Sequence, residues 1–291
     1  MSDDPFVTHR SLLFTVAYEL LGSAADAEDV VQETWLRWAR VDKGEIEDPR
    51  AYLARIVTRQ SLNRLRTVKR RREEYVGEWL PEPLLTSPDV AEDVEFAESV
   101  SIAMLTVLET LKPAERAVFV LKEVFDFPYE DIAQAVEKSP AAVRQIAHRA
   151  REHVAARRPR IEVDRSEQQR VVDRFMAAIE SGEVQLLLDV LAPDIVLVAD
   201  GGGEVGAALR PIRGPKTVAR LLSNFRSIVP DAHVSSMWVN GAPGARVELD
   251  GALDTVISLV VENGRVSRIY SMRNPHKLGG LDAEANLSRG A

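Results

Sequence analysis

The chain has 291 residues, no cysteine and a formal net charge of −8. This length favours two or three compact domains over one, and the lack of cysteine excludes disulfides, thiolate nucleophiles and sulfur-ligated zinc. No apolar run approaches the roughly 20 residues of a bilayer-spanning helix, and the N-terminus lacks the basic-then-apolar order of a signal peptide. We therefore expect a soluble, cytoplasmic protein.

The first half of the chain has helical periodicity with few interruptions. Gly22 is placed to end the first helix, and Asp48-Pro49 has the form of an N-cap followed by proline at the first helical position. Prolines between 73 and 92 indicate a linker. In chain order we expect helices at 6–21, 24–41, 49–70, 93–111 and 113–125, then two short helices up to about residue 157.

The pattern changes after a second linker at 157–165. The dipeptide Asn263-Gly264 separates two apolar runs of alternating polarity and predicts a type I′ hairpin turn. Helices followed by such runs are typical of an α+β domain. We expect helices at 166–181, 183–191 and 214–228, and strands at 195–199, 233–239, 246–249, 255–261 and 266–272.

Basic residues are concentrated in two segments of this acidic chain. Arg50 to Arg72 contains nine Lys or Arg and no acid, and Lys138 to Arg160 contains seven against the single acid Glu152. Local patches, not net charge, determine phosphate binding. Either patch alone fits a solvated helix face equally well, but the pair suggests two nucleic-acid surfaces.

The second basic segment has the form of a helix-turn-helix. A helix from Pro128 to Val136 is followed by a short turn and by Ser139-Pro140, which opens a second helix with one apolar stripe. Such a second helix enters the major groove of DNA, although an αα-hairpin within a bundle is the alternative. Its candidate DNA-binding residues are Arg144, Gln145, His148, Arg149 and Arg151.

An acidic amphipathic helix is expected at Asp26 to Trp38. Its buried stripe comprises Ala27, Val30, Val31, Trp35 and Trp38, which leaves Asp29, Gln32, Glu33 and Leu36 outside. Acidic residues beside an exposed leucine suit a basic partner helix, whereas a solvated acidic face is the alternative.

Together these segments resemble an extracytoplasmic-function (ECF) RNA polymerase sigma factor over about residues 5–157. The acidic helix looks like the region 2 helix that docks on the β′ clamp helices of core RNA polymerase, and the helix-turn-helix looks like region 4, which reads the −35 element. The helix after Asp48 is similar to the −10 helix, although Arg59 and Asn63 stand where the family often has Asn and Asp. The resemblance assigns core binding to Asp29, Gln32, Glu33 and Leu36, and −10 promoter DNA binding to Arg50, Arg55, Arg59, Asn63, Arg64 and Arg66.

Three further motifs resemble the ECF group with a fused SnoaL-like domain. They are the linker Tyr75–Pro83; Asp200–Val205, with Glu204 in place of a Lys; and Asn274–Leu278, with His276 in place of an Asp. The group is thought to carry its regulator in cis, which implies no separate anti-sigma factor. The interdomain residues so implied are Trp79, Pro81, Asp200, Gly201, Gly202, Gly203, Asn274, Pro275, Lys277 and Leu278.

The expected protein is multidomain: two all-α sigma domains and an α+β SnoaL-like domain with a cone-shaped antiparallel sheet. We place region 2 at 1–72, the linker at 73–98, region 4 at 99–157 and the SnoaL-like regulatory domain at 165–291. We expect a non-enzymatic transcription factor with no cofactor and no metal, and with a place for a small-molecule ligand in its last domain. Residues after Leu278 carry no motif, so short truncations there should matter less.

Two other functions compete with this interpretation. In the first, a sigma-like module is fused to an active SnoaL-type cyclase or isomerase, with Asp194, Asp200 or Asp254 as general base. A carboxylate and a histidine converging in a deep C-terminal pocket would favour that enzyme. In the second, the chain is a repressor that binds DNA through its helix-turn-helix alone, and such a protein needs no polymerase-docking helix.

Overall fold

The first three helices begin and end where local sequence signals place them. The computed structural model describes residues 4–158 and 165–290. The side chains of Asp4, Ser23 and Asp48 each accept a hydrogen bond from the first turn of the following helix, and Gly22 ends the first helix in the left-handed conformation, with φ 67°. These helices are α1 (Pro5–Leu21), α2 (Ala24–Trp38) and α3 (Pro49–Glu73).

The next helices contain the helix-turn-helix. The single helix expected at 93–111 is instead two, because Ser101 adopts an extended conformation and caps the second helix through Met104 N at 3.1 Å. Ser139 caps the second helix of the helix-turn-helix, which we call the recognition helix, by accepting a hydrogen bond from Ala142 N at 3.2 Å. The helices are α4 (Val94–Val100), α5 (Ile102–Leu108), α6 (Pro113–Phe119), which continues into a π-helical turn at Val120–Val124, α7 (Tyr129–Val136) and α8 (Pro140–Ala155).

The C-terminal part is an α+β domain with one six-stranded sheet, which confirms the expected fold class. Its strand order is β2-β1-β6-β5-β4-β3, antiparallel except for the parallel pair β1–β6. Asn263 and Gly264 both have positive φ, as a type I′ turn requires. The elements are α9 (Arg165–Ser181), α10 (Val184–Val190), β1 (Leu191–Asp200), β2 (Ile212–Arg213), α11 (Pro215–Ser223), α12 (Phe225–Ile228), β3 (His233–Val239), β4 (Ala242–Leu249), β5 (Ala252–Glu262) and β6 (Arg265–Met272).

Apolar side chains from different parts of the chain share common cores. One cluster joins α1–α8 and includes Leu287 from the C-terminal end. Another joins Leu80 of the linker and Ile102 of α5 to Met272 of β6. The helical part therefore packs directly against the C-terminal domain. Among the described residues, no helix has the length and apolarity needed to cross a membrane.

Candidate interdomain and nucleic-acid interface

Asp200, at the end of β1, is the centre of a buried contact with the linker. Its side chain is fully buried and accepts hydrogen bonds from the Tyr75 hydroxyl, from Leu80 N at 2.8 Å and from Gly202 N at 3.1 Å. Lys277 supplies the countercharge, with Nζ 2.7 Å from Asp200 Oδ2. A buried carboxylate is tolerated only with such pairing, so the linker and the C-terminal domain satisfy it together.

Lys277 also contacts the aromatic residues of the linker. Its Nζ lies 4.1 Å from the ring centroid of Trp79 and 5.0 Å from that of Tyr75, and it donates to Leu80 O. Arg72 of α3 stacks on the same Trp79 ring at 3.6 Å. Burial lowers the pKa of Lys277 to about 8, although the negative charge of Asp200 acts in the opposite direction and raises it. Trp79 thus lies between a cation of the helical part and a cation of the C-terminal domain. We call Asp200, Lys277, Tyr75 and Trp79 the lock.

The glycines after Asp200 allow the backbone to approach its neighbours closely. Gly202 and Gly203 have φ of +66° and +77°, and Gly201 beside them is buried. A Cβ on Gly202 would lie 2.6 Å from Asn274 Nδ2, and one on Gly203 would lie 2.9 Å from Val76 Cβ in the linker. Asn274 in turn donates to the Tyr75 hydroxyl at 2.7 Å. A larger residue at Gly202 or Gly203 would push away Asn274 or Val76 and so separate the residues of the lock.

The remaining interdomain residues expected from the motifs differ in burial. Pro81 is buried in the linker, and Leu278 is buried in the cluster that contains Leu80. Pro275 is exposed and opens a 3₁₀ turn. The two residues that depart from the family motifs meet each other, because His276 Nε2 lies 2.7 Å from Glu204 Oε1 at the surface.

A second junction, which the sequence analysis missed, lies at the turn between β3 and β4. Asn240 is fully buried, and its Oδ1 accepts from Leu84 N of the linker at 2.9 Å. Its Nδ2 donates to the Tyr18 hydroxyl on α1 at 2.7 Å and to Val100 O at the end of α4 at 2.8 Å. One amide therefore contacts the linker and both helical domains. The Asn-Gly dipeptide at 240–241 predicts a hairpin turn, but no local pattern indicates these contacts.

The linker also reaches the acidic helix. Glu82 is buried, and its carboxylate accepts from Ala24 N at 2.8 Å and from Ala25 N at 3.4 Å, at the N-terminus of α2. The Tyr18 hydroxyl donates to Glu82 O at 2.6 Å. Burial raises the pKa of Glu82, although these backbone hydrogen bonds oppose the shift. The linker is thus part of the cap of α2.

The first part of α3 faces the helix-turn-helix. Arg55 Nη1 donates to Gln134 Oε1 at 2.7 Å, and Arg59 Nη2 donates to Gln134 O at 2.8 Å. Arg50 Nη2 donates to Phe125 O at 3.3 Å, and its guanidinium lies 4.3 Å from the ring centroid of Phe127. Three of the six −10 candidates therefore contact residues 125–134.

The other −10 candidates have different environments. Arg64 pairs with Asp26 at 2.7 Å and with Asp29 at 2.6 Å on α2, whereas Asn63 and Arg66 are exposed. All five candidates on the recognition helix are exposed: Arg144, Gln145, His148, Arg149 and Arg151. The recognition helix thus faces solvent, whereas Arg50, Arg55 and Arg59 at the start of α3 bind residues 125–134.

The outer face of α2 is open. Asp29, Gln32, Glu33 and Leu36 are all exposed. The prediction that Trp35 belongs to the buried stripe is wrong, because its side chain is 47% exposed and lies beside Leu36, which is 46% exposed. The periodicity misplaced Trp35 because Thr34, fully buried, occupies the inner face and donates to Val30 O at 2.8 Å.

The C-terminal tail also packs against the helical part. Leu287 is buried in the core shared by α1–α8. Backbone hydrogen bonds hold the tail on both sides of it, with Ala285 N donating to Leu85 O at 2.8 Å and Ser288 N donating to Thr15 Oγ1 at 3.1 Å. Residues after Leu278 are therefore part of the packed structure, which counts against the expectation that short truncations there matter less.

Arg289 extends the tail towards two helices. It forms ion pairs with Asp93 and, at 3.6 Å, with Glu95 at the start of α4. Its carbonyl oxygen accepts from Arg50 Nη2 of α3 at 3.4 Å. The tail therefore connects α4, which follows the linker, to a predicted −10 residue.

A buried ionisable pair lies between α1 and α6. Glu19 is fully buried, and its Oε1 accepts from Ser99 Oγ at 3.1 Å, while Oε2 has no hydrogen-bond partner among the described residues. Arg116 Nε donates to Glu19 O at 2.8 Å, and Arg116 also pairs with Glu109. Burial raises the pKa of Glu19 to about 8 and lowers the pKa of Arg116 to about 9.

The buried Glu19 predicts pH-dependent stability. Because its pKa is higher in the folded state than in the unfolded state, its favourable contribution is complete below about pH 4.5 and is lost as the pH rises through about 8. Glu19→Gln, which imitates the protonated form, should raise the midpoint of urea unfolding at pH 8.5 more than at pH 6. Glu183→Gln, at an exposed position, serves as control. Equal changes at both pH values would contradict the prediction.

A cavity of about 400 Å³ lies inside the C-terminal domain. Asp254 lines it and pairs with Arg273 at 2.8 Å. Burial tends to raise the pKa of Asp254, but hydrogen bonds from Arg273 and Thr255 and the charge of Arg273 outweigh it and hold the pKa below its usual range. Of the other two general-base candidates, Asp194 is exposed and Asp200 is committed to the lock. Among the described residues no histidine lines the cavity.

Comparison with known proteins identifies the family. Residues 6–71 match the family model for Sigma-70 region 2, and residues 101–154 match that for Sigma-70 region 4. The chain is 37% identical to the ECF RNA polymerase sigma factor SigJ of Mycobacterium tuberculosis H37Rv over 294 residues, covering 96% of this chain and 94% of SigJ. It is 32% identical to the probable ECF sigma factor SigI of the same strain over 279 residues, covering 95% and 94%.

The crystal structure of M. tuberculosis SigJ has the same overall arrangement. It superposes with a TM-score of 0.76 at 34% sequence identity and covers 94% of this chain and 96% of SigJ. A repressor that binds through its helix-turn-helix alone would not explain the match to region 2. The chain therefore belongs to the ECF RNA polymerase sigma factors, in the group with a fused C-terminal SnoaL-like domain, and is a transcription initiation factor.

Proposed function

We propose that the protein binds the β′ clamp helices of core RNA polymerase through α2, contacts the −10 element with α3 and the −35 element with α8, and is regulated in cis by its C-terminal domain. The observation that carries the regulatory part is the position of α3. Arg55 and Arg59 bind Gln134, so promoter DNA would have to compete with these contacts for the two guanidinium groups. We call the arrangement in which the start of α3 contacts α7 the closed arrangement. The lock, the Asn240 junction and the tail all favour it.

We further propose that the C-terminal domain regulates without catalysis, in the cytoplasm and without a separate anti-sigma factor. Asp254 is a poor general base because its hydrogen bonds and ion pair with Arg273 lower its pKa and therefore its affinity for a proton. Fusion gives the two parts a high effective concentration, which can reach the millimolar range for short linkers. A weak interface then suffices for inhibition. A ligand in the cavity can change the degree of inhibition if it binds the closed and open arrangements with different affinities.

Docking on core polymerase is expected to depend on the exposed acidic face of α2. Gln32→Lys/Glu33→Lys reverses its charge at two exposed positions, so the variant should fold normally but lose retention by immobilised core polymerase. Glu183→Lys, at an exposed position of the C-terminal domain, is the control and should be retained. If the double variant binds core polymerase as well as the unaltered protein does, α2 is not the docking helix.

The regulatory part is tested by run-off transcription. A chain ending at Arg158 lacks the C-terminal domain and should give more transcript than the full chain at equal core-polymerase occupancy. The apolar core shared by α1–α8 remains in it, but the lock, the Asn240 junction and the tail no longer favour the closed arrangement. Indistinguishable output from the two chains would remove the regulatory proposal and return the enzyme to contention.

A further inference from the structure

The cavity of the C-terminal domain has the size and lining of a small-molecule site. Its volume of about 400 Å³ lies within the roughly 300–1,000 Å³ typical of ligand pockets. Most of its wall is aliphatic or aromatic, and representative lining residues are Met176, Leu197, Phe225 and Ile257. Burying an apolar molecule here would be favourable by about 25 cal/mol per Å² of apolar surface.

One end of the cavity is polar but carries no net charge. Arg273 Nη2 lies 2.8 Å from Asp254 Oδ1, and Arg273 Nε lies 3.0 Å from Asp254 Oδ2. Arg273 Nη1 donates to Gly206 O. A guanidinium has five N–H donors, and these bonds use three of them. The end of the cavity therefore offers hydrogen-bond donors beside a neutralised ion pair.

This lining selects the charge of the ligand. A charged molecule would bring an uncompensated charge into an apolar cavity whose described charged residues, Asp254 and Arg273, already balance each other, at a large cost in free energy. A purely hydrocarbon molecule would fill the cavity but make no hydrogen bond to the remaining N–H donors of Arg273, whose side chain is 31% exposed, and would displace water that can bind them. We infer that the cavity binds an uncharged, mostly apolar molecule whose carbonyl oxygen accepts a hydrogen bond from Arg273.

The same cavity is connected to the lock through adjacent residues. Ala199 and Arg273 line the cavity, and the residues that follow them, Asp200 and Asn274, bind the linker. Arg273 N also donates to Asp200 O at 2.7 Å. A ligand that restrains these two strand ends lowers the entropy cost of closing the lock, so it favours the closed arrangement. This step rests on the proposed function, whereas the ligand class does not.

The ligand class is tested with a matched pair of fluorescent probes and the full chain. The uncharged ketone 6-propionyl-2-dimethylaminonaphthalene should bind saturably with a blue-shifted emission, and the carboxylate 6-dimethylamino-2-naphthoate should bind at least about tenfold more weakly. Ala208→Phe, which fills the cavity, should abolish ketone binding. Absence of saturable ketone binding, or equal affinity for the two probes, would overturn the inference.

A second variant tests the hydrogen bond without adding bulk. Asp254→Asn/Arg273→Met keeps the end of the cavity uncharged but removes the guanidinium and leaves no N–H donor on the side chain at 273, so it should weaken ketone binding severalfold. Arg268→Gln, on β6 but outside the cavity, is the control and should bind as the unaltered chain does. Unchanged affinity in the double variant would exclude Arg273 as the donor.

Reciprocity between ligand and lock supplies the test of coupling. Whatever factor the ligand adds to closing, closing must add to ligand affinity, so Lys277→Met, which opens the lock, should weaken ketone binding. Equal ketone affinity in this variant and the unaltered chain would overturn the coupling. That outcome is distinct from failure of the proposed function, which is measured by run-off transcription with no ligand added.

Discussion

Replacing Lys277 with Met is expected to raise transcript output at equal core-polymerase occupancy. The closed arrangement would retain the fully buried carboxylate of Asp200 without its countercharge. Removing one partner of a buried ion pair costs about 3–5 kcal/mol, which corresponds to a shift of roughly 10²–10⁴ in the closed-to-open ratio. Opening solvates Asp200 and avoids this cost.

Two further variants separate the lock from a general loss of stability. Asp200→Asn/Lys277→Met leaves no unpaired charge and should restore part of the closed population. Lys216→Met, at an exposed position of the same domain, should leave output unchanged. If Lys277→Met and Lys216→Met give equal output, the lock does not control promoter access.

The absence of cysteine makes the opening directly measurable. Cysteines introduced at the exposed positions Arg40 and Lys138 give two unique sites for donor and acceptor dyes, one in each helical domain. Energy transfer should fall in Lys277→Met and should recover partly in the double variant. A fall in transfer without a rise in transcript would show that opening alone does not activate the factor.

Local sequence patterns predicted the elements that local interactions determine. The caps at Asp48 and Ser139 depend on neighbouring backbone groups, and the turn at Asn263-Gly264 depends on positive φ at two adjacent residues, so each is visible in a few letters. The prediction of a single helix at 93–111 was wrong because a local cap interrupts it. Ser101 can cap as well as continue a helix, and periodicity does not distinguish the two.

The interdomain contacts divide along the same line. The family resemblance pointed to Asp200 and Lys277 because each lies in a motif that is a continuous segment of the sequence. No local sequence pattern shows that both residues contact Tyr75. No sequence pattern indicates the contacts of Asn240, Glu82 and the tail, because each has partners far away in the chain, such as Tyr18 for Asn240 at a separation of 222 residues. Contacts of that kind depend on how whole domains pack.

Removing the last nine residues, by ending the chain at Asp282, is also expected to raise transcript output. The lock remains intact in this truncated chain, so its effect is separate from that of Lys277. The deletion exposes the site of Leu287, whose burial contributes about 1.5–3 kcal/mol, and removes the acceptor that Arg50 contacts in the closed arrangement. The closed-to-open ratio should fall by roughly one to two orders of magnitude.

A single substitution tests the same contact at constant length. Leu287→Asp would place a carboxylate in the apolar core shared by α1–α8 and should therefore detach the tail, because an unpaired buried charge is more costly than an empty site. Asn286→Asp introduces the same charge one residue earlier at an exposed position and is the matched control. Output should rise in Leu287→Asp and in the truncated chain but not in Asn286→Asp. Unchanged output in both of the former would mean that the tail packs on the helical domains without holding them closed.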